Sequence, residues 1–129
     1  LRDAGVGAED VDYVNAHGTG TPFNDAADRT ALVAALGSRA RDIPVSSSKS
    51  MIGHLLGGAG AVEAILTVLA LATGWLPPNV NYETPDPQCD LRIVRTAMRA
   101  QRVRVALSNS FGFGGANAVL VFRAVETVP

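Results

Sequence analysis

Two histidines carry the clearest chemical signal in this sequence, because they are the only two in 129 residues. His17 lies in the run VNAHGTGTP at residues 14–22, and His54 lies in the run SSSKSMIGHLLGGAG at residues 46–60. An imidazole can donate or accept a proton near neutral pH. Two imidazoles that point at one carbonyl oxygen can stabilise the negative charge that develops there during a reaction. Such a pair can therefore stabilise a thioester or enolate oxyanion, and a histidine that only satisfies a turn is the alternative for His17.

A charged pair is predicted beside the second histidine. Lys49 lies five residues before His54 in a nearly uncharged stretch, and Glu63 is the only acidic residue between positions 49 and 76. A lysine in an apolar interior must meet an acid or lose its proton. We therefore expect Lys49 and Glu63 to form an ion pair. An exposed lysine and a surface or capping glutamate are the alternative.

A third run, NSFGFGGAN, occupies residues 109–117 and places three glycines within the five residues from Phe111 to Gly115. Glycine at this density allows backbone conformations with positive φ and lets a substrate approach the main chain closely. A plain tight turn is the alternative interpretation of the same pattern.

The segments between these runs have strand and helix patterns that must position them. Strands are predicted at 11–15, 43–47, 93–95, 102–108 and 118–123, and the last two should pair as an antiparallel hairpin. Helices are predicted at 25–36, with Asn24 as N-cap and Gly37 as stop, and from residue 57 or 59 to residue 73. Residues 77–87 form a proline-rich loop. This order of elements predicts a layered α/β fold.

Composition excludes several classes of function. A net charge of −1 gives no reason to expect a nucleic-acid or membrane partner. The single cysteine, Cys89, excludes an intrachain disulfide and fits a reducing cytoplasm. Residues 55–76 are long and apolar enough to span a membrane, with Glu63 as their only charge. Their glycine-rich start, the lack of flanking basic clusters and the following Pro77-Pro78 favour a helix buried in protein.

The three runs together resemble the C-terminal part of the β-ketoacyl-[acyl-carrier-protein] synthases, in the thiolase-like superfamily of condensing enzymes. The resemblance implies a layered αβα fold, with a mixed sheet and a buried central helix. It also implies that residues 1–129 are an incomplete C-terminal domain. The half that carries the nucleophilic cysteine, and the first strand and helix of the second half, would be absent.

The resemblance implies a role for each motif residue. His17 and His54 match the two histidines of a Cys-His-His triad, and the 14-residue spacing of Lys49 and Glu63 matches the family's supporting pair. His54 would be neutral, with its Nε2 proton aimed inward and a local acceptor fixing that tautomer. The resemblance also implies that Thr19 and Thr21 hydrogen-bond the phosphopantetheine arm. Phe113 would gate the acyl chain and supply a backbone amide to the oxyanion hole. Phe111 would form a pocket wall, and Gly112 and Gly114 would lie beside the substrate.

Two positions depart from a catalytic pattern. Cys89 lies in a loop with none of the features of a nucleophile on a strand-to-helix turn, and we interpret it as inert. Asp28 stands where relatives commonly carry glutamate, and we interpret it as structural. Because the triad cysteine is missing from these residues, the chain alone is predicted to be inactive.

The implied activity is decarboxylative Claisen condensation of acyl thioesters with a malonyl-carrier-protein. Asn15 before Ala-His and the run from Asn109 favour the type II fatty-acid elongation enzymes. The expected partners are the acyl carrier protein, acyl and malonyl thioesters and, when the enzyme is complete, a second copy in a cytoplasmic homodimer. No bound cofactor and no metal are expected, because the pantetheine arm arrives on the carrier.

Fatty-acid elongation has three alternatives. An aromatic or other polyketide ketosynthase would share the Lys49-to-His54 run, and a non-catalytic chain-length-factor-like partner would not need both histidines. A thiolase needs a second cysteine near its C-terminus, and the final 40 residues contain none.

Overall fold

A five-stranded mixed sheet organises the chain. The computed structural model describes residues 1–100 and 102–125. The strands are β1 (Tyr13–Asn15), β2 (Pro44–Ser46), β3 (Trp75–Leu76), β4 (Arg92–Ile93), β5 (Met98–Arg99), β6 (Val105–Phe111) and β7 (Asn117–Arg123). The helices are α1 (Asn24–Leu36), α2 (Lys49–Ile52) and α3 (Ala59–Thr73). Short 3₁₀ turns cover Ala8–Asp10, Gly37–Arg41, Leu56–Gly58 and Phe113–Gly115.

The main sheet has the strand order β4-β2-β1-β6-β7. Its first four strands are parallel, whereas β7 returns antiparallel to β6 as the predicted hairpin. The short strands β3 and β5 form a separate antiparallel pair. Because the C-terminal ends of parallel strands meet at one edge, the segments that follow β1, β2 and β6 come together there. Those segments carry the three glycine-rich runs.

The two faces of the sheet bury different clusters, because successive side chains of a strand point to opposite sides. On one face, Val14, Val45 and Leu107 pack with Leu32 and Leu36 of α1. On the other face, the buried residues of the cluster are Tyr13, Ala70, Leu76, Val94, Val103 and Ala106. Helices therefore cover both faces, and the predicted αβα layering is confirmed.

Helix α3 buries only one side within this chain. Its buried residues, Ala59, Glu63, Thr67 and Ala70, recur at helical spacing and face the sheet. On the other side Ile65 is 60% exposed, and Val68 and Leu69 are also exposed. The predicted central helix is present, but the described part of the chain leaves its outer side exposed. With the turn before it, Leu56–Thr73 is the one stretch of the described residues long and apolar enough to cross a membrane, and 22% of it is buried.

Several predicted boundaries are wrong by a few residues. Asn24 is the first residue of α1 and not its N-cap: its own N–H is accepted by Thr21 Oγ1 at 3.3 Å, and its side-chain amide donates to Asp28 Oδ2 at 2.9 Å. Strand β6 begins at Val105 and not at residue 102. The Asp12 carboxylate accepts the backbone N–H groups of Arg104 and Val105, at 2.7 and 3.2 Å, so the N–H of the residue before the strand donates to a side chain and not to a neighbouring strand.

Candidate active site

The two histidines lie side by side at the C-terminal edge of the parallel strands. His17 follows β1 and is 8% exposed, whereas His54 follows α2 and is exposed. Their ring centroids are 5.5 Å apart, and the ring planes are nearly perpendicular, at 84°. The ring of Phe111, at the end of β6, lies 5.9 Å from that of His17. All three glycine-rich runs therefore contribute a ring to one site.

The backbone fixes the tautomer of His54. The N–H of Leu56 donates a hydrogen bond to Nδ1 of His54 at 3.1 Å, so that nitrogen must be the acceptor. A neutral imidazole in this position carries its proton on Nε2, which is the tautomer that the sequence predicts. The prediction named the wrong kind of partner, however. A proton on Nε2 requires a local donor to Nδ1 and not an acceptor.

The surroundings of His17 lower the pKa of its imidazole. Burial is the largest cause that lowers its pKa, and the positive charge of Lys49 and the proximity of His54 lower it further. Glu63 and Asp25 oppose this shift. Its Nδ1 is buried and finds no hydrogen-bond partner among the described residues.

The predicted ion pair beside the histidines is present. Lys49 Nζ lies 2.5 Å from Glu63 Oε1, and their side chains are only 4% and 1% exposed. The alternative of an exposed lysine and a surface glutamate is therefore wrong. Lys49 begins α2 five residues before His54, and Glu63 lies on the sheet-facing side of α3. The pair thus joins the two helices that flank the second histidine.

The two threonines after His17 present their hydroxyls together. Thr19 Oγ1 and Thr21 Oγ1 are 3.0 Å apart, and Thr21 Oγ1 also accepts the backbone N–H of Asn24 at 3.3 Å. Asp25 Oδ1 accepts the N–H of Gly20, between the threonines, at 3.1 Å. Helix α1 therefore fixes this loop at the surface through Asn24 and Asp25, and binding of a substrate by the two hydroxyls stays a prediction.

The last glycine-rich loop divides its two phenylalanines. Phe111 points toward His17, whereas the side chain of Phe113 is fully exposed. Gly112 donates its N–H to the carbonyl of Ala116 at 2.8 Å, and Gly114 has a φ of +73°. The structure places Phe111 next to His17, and its assignment to the core or pocket wall stays a prediction. The acyl gate at Phe113, and the substrate contacts at Gly112 and Gly114, stay predictions.

A buried amide beneath the site was missed as a structural residue. Asn15 is 1% exposed, and its Nδ2 lies within hydrogen-bond distance of Ser48 Oγ, Glu63 O and Thr67 Oγ1, at 3.1, 3.3 and 3.4 Å. Its Oδ1 accepts the N–H of Ser48 at 3.3 Å. Asn15 therefore links β1 to both α2 and α3. The signal was an amide at the end of an otherwise apolar strand.

The lone cysteine lies outside this cluster of rings. Burial raises the pKa of the Cys89 thiol, and the nearby carboxylates of Asp25 and Asp86 raise it further. Such surroundings disfavour the reactive thiolate. Among the described residues, no group of three or more His, Cys, Asp or Glu side chains could hold a metal ion.

Comparison with known proteins decides the family. Residues 1–83 match the family described as Beta-ketoacyl synthase, C-terminal domain. The chain belongs to this family. Similar sequences include 3-oxoacyl-[acyl-carrier-protein] synthase 2 of Synechocystis sp., which is 55% identical to this chain over 98% of this chain and 30% of its own length. Nodulation protein E of Rhizobium meliloti is 50% identical over 97% of this chain and 31% of its own. The chain thus spans about a third of these relatives.

Solved ketosynthases share the fold. AntDE, in complex with AntF, a type II PKS acyl-carrier protein, superposes with a TM-score of 0.94 at 38% identity, over 98% of this chain and 31% of that one. A β-ketoacyl synthase from Burkholderia phymatum gives 0.90 at 41% identity, over 98% and 30%. The predicted family and the predicted thiolase-like fold are both confirmed.

Proposed function

We propose that this chain is the C-terminal, histidine-bearing part of a 3-oxoacyl-[acyl-carrier-protein] synthase. The observation that carries the proposal is the pair His17 and His54, edge to face at 5.5 Å, with the Nε2 proton of His54 fixed by the backbone. Two neutral imidazoles so arranged can donate two hydrogen bonds to one oxygen. The names of relatives at 47–55% identity support the same assignment.

The proposed reaction uses these hydrogen bonds during decarboxylation. When the malonyl carboxylate leaves as CO₂, the electron pair of the broken C–C bond forms an enolate. The enolate oxygen, formerly the thioester carbonyl, accepts hydrogen bonds from His17 and His54. The enolate carbon then attacks an acyl-cysteine thioester, and the cysteine thiolate is released. That cysteine lies outside these residues, so the chain alone is expected to lack condensing activity.

The surrounding residues keep both donors available. Lys49 places a positive charge near His17 and helps to keep that ring neutral, while Glu63 neutralises Lys49 inside the protein. Thr19 and Thr21 are proposed to hydrogen-bond the pantetheine arm, Phe113 to gate the acyl chain, and Gly112 and Gly114 to border the substrate. No resident cofactor is needed, because the thioester arrives on the carrier protein.

Acyl and malonyl groups on an acyl carrier protein are the proposed substrates. AntDE, the structural relative at TM-score 0.94, was solved with its acyl-carrier protein. We place the reaction in cytoplasmic fatty-acid elongation and expect the complete enzyme to be a homodimer. A polyketide ketosynthase is the second candidate, because AntDE and the ishigamide ketosynthase/chain length factor superpose well at 38% and 40% identity.

A chimera tests the proposal. These 129 residues replace the matching segment of the Synechocystis synthase 2, which supplies the remaining two thirds of the enzyme. With an acyl-carrier-protein primer and malonyl-carrier-protein, mass spectrometry should detect a product two carbons longer. Variants His17→Ala and His54→Ala should each lower kcat by at least about 100-fold, whereas the control Cys89→Ser should not.

Two outcomes would decide against parts of the proposal. A folded chimera that makes no elongated product, or histidine variants as active as Cys89→Ser, would refute the assignment of the site. Repeated addition of malonyl units without reduction would favour the polyketide candidate over fatty-acid elongation.

A further inference from the structure

We propose that Asp28 and Ser47 are positioning residues that hold the His17–Gly18 backbone from opposite sides and thereby set the distance between the two imidazoles. We call these two side chains the His17 clamp. The inference rests on the proposed function of His17, because it concerns how that ring is placed for the reaction.

Asp28 holds the donor side of this backbone. Its Oδ2 accepts the N–H of Gly18 at 2.7 Å and the side-chain amide of Asn24 at 2.9 Å. Asp28 is only 3% exposed and lies one helical turn inside α1, four residues after Asn24. A short hydrogen bond from a main-chain N–H to a buried carboxylate leaves that peptide little freedom to move.

Ser47 holds the acceptor side. Its Oγ lies 2.9 Å from the carbonyl oxygen of Gly18 and 3.3 Å from that of His17. Ser47 is itself fixed, because its backbone N–H donates to Asn79 Oδ1 at 2.6 Å. The His17–Gly18 backbone is therefore hydrogen-bonded to α1 on one side and to the segment after β2 on the other.

Gly18 shows how closely the clamp fits. Its φ is +45°, a conformation that favours glycine, and a Cβ at this position would lie 2.4 Å from Ser47 Cβ. The loop after β1 can thus follow this path only as long as residue 18 has no side chain. Because His17 directly precedes Gly18, a shift of the Gly18 peptide moves the imidazole that faces His54.

The clamp needs an acceptor at Asp28 and not a charge. Oδ1 is buried and finds no hydrogen-bond partner among the described residues, whereas Oδ2 accepts both donors. Burial is the main cause that raises the pKa of Asp28, and the hydrogen-bond donors Gly18, Asn24 and the His17 backbone N–H oppose that rise. The titratable groups that face it are Asp25 on the same helix and Cys89 from the loop before β4. A proton, or the NH₂ of an asparagine, can occupy the Oδ1 position while the other oxygen keeps its two bonds.

The test compares variants of the chimera described above by kcat, KM and the pH profile of kcat. Asp28→Asn should keep kcat within about 3-fold and leave the pH profile unchanged, because the acceptor is retained. Asp28→Ala should lower kcat by about 10- to 100-fold with KM nearly constant, since a misplaced group costs the chemical step. Ser47→Ala should lower kcat in the same way but less. Thr30→Ala, an exposed position of α1, is the control.

The proposal is overturned if Asp28→Asn is as slow as Asp28→Ala, or if its pH profile moves, because either result would make the charge itself essential. It is also overturned if Asp28→Ala or Ser47→Ala leaves kcat unchanged. Should Asp28→Ala fail to fold, Ser47→Ala and Asp28→Asn still decide. If the parent chimera is inactive, the proposed function fails separately. Crystal structures of Ser47→Ala and Asp28→Asn would then test whether only the former separates the two rings.

Discussion

Removing Lys49 should expose how strongly the buried ion pair is coupled. Lys49→Met keeps an unbranched apolar stem but leaves the Glu63 carboxylate, 1% exposed, without its cation. Glu63 Oε2 already finds no hydrogen-bond partner among the described residues, so nothing there compensates the loss. Breaking one side of a buried pair costs about 3–5 kcal/mol. That corresponds to a change of roughly 10²- to 10⁴-fold in the unfolding equilibrium.

Urea denaturation of the chimera measures this cost as a shift of the midpoint at constant slope. The double variant Lys49→Met/Glu63→Gln should recover at least about half of the loss, because it no longer buries an unpaired charge. Arg41→Met is the matched control, since its partner Asp90 is exposed and stays paired with Arg29. A shift for Lys49→Met no larger than that of Arg41→Met would refute the reasoning, and so would a double variant less stable than Lys49→Met alone.

Three further predictions follow from the same site and its support. Gly18→Ala should lower the thermal midpoint clearly, because its Cβ would overlap Ser47, and an unchanged melting curve would contradict the geometry. Tyr13→Phe should cost about 1 kcal/mol at pH 7 through the lost 2.8 Å bond to Ser46. Burial raises the pKa of Tyr13 to about 12, so the folded state binds the phenol proton more tightly than the unfolded chain does. The wild-type chimera, unlike Tyr13→Phe, should therefore lose stability as the pH rises from about 10 to 12. Because burial and the charge of Lys49 lower the pKa of His17, its protonation should reduce kcat of the chimera only at a lower pH than that of a free imidazole, and a pH profile of kcat that falls at or above the ordinary imidazole range would contradict this.

The grouping of the two histidines and of the ion pair beside them was largely predictable from the sequence, because glycine-rich runs and isolated charges are local signals. The Lys49–Glu63 pair followed from one lysine and one acid in an apolar stretch, and the contact is present. The side of α1 that carries Asp28 was harder to interpret. An aspartate that binds a backbone N–H ten residues earlier in the chain leaves no periodic pattern.

The short strands and exact boundaries were not predictable for a related reason. Strands β3 and β5 contain two residues each, so no alternation can be read from them. The start of β6 depends on Asp12, a carboxylate more than 90 positions away in sequence. Hydrogen bonds of this kind, between residues distant in sequence, decide where a strand begins. A local sequence pattern carries no information about them.

The polar inner side of α3 has a consequence for assembly of the fold. Glu63 meets Lys49 there, and the Glu63 carbonyl and Thr67 meet the amide of Asn15. A slide by a single residue would rotate the helix by about 100° and advance it by about 1.5 Å, and all three contacts would be lost together. A purely apolar interface tolerates small shifts of a helix along its axis, whereas the directional hydrogen bonds and the ion pair of α3 do not. The helix therefore has one favoured register against the sheet. A chain that reaches this register has also placed the preceding segment, which carries His54.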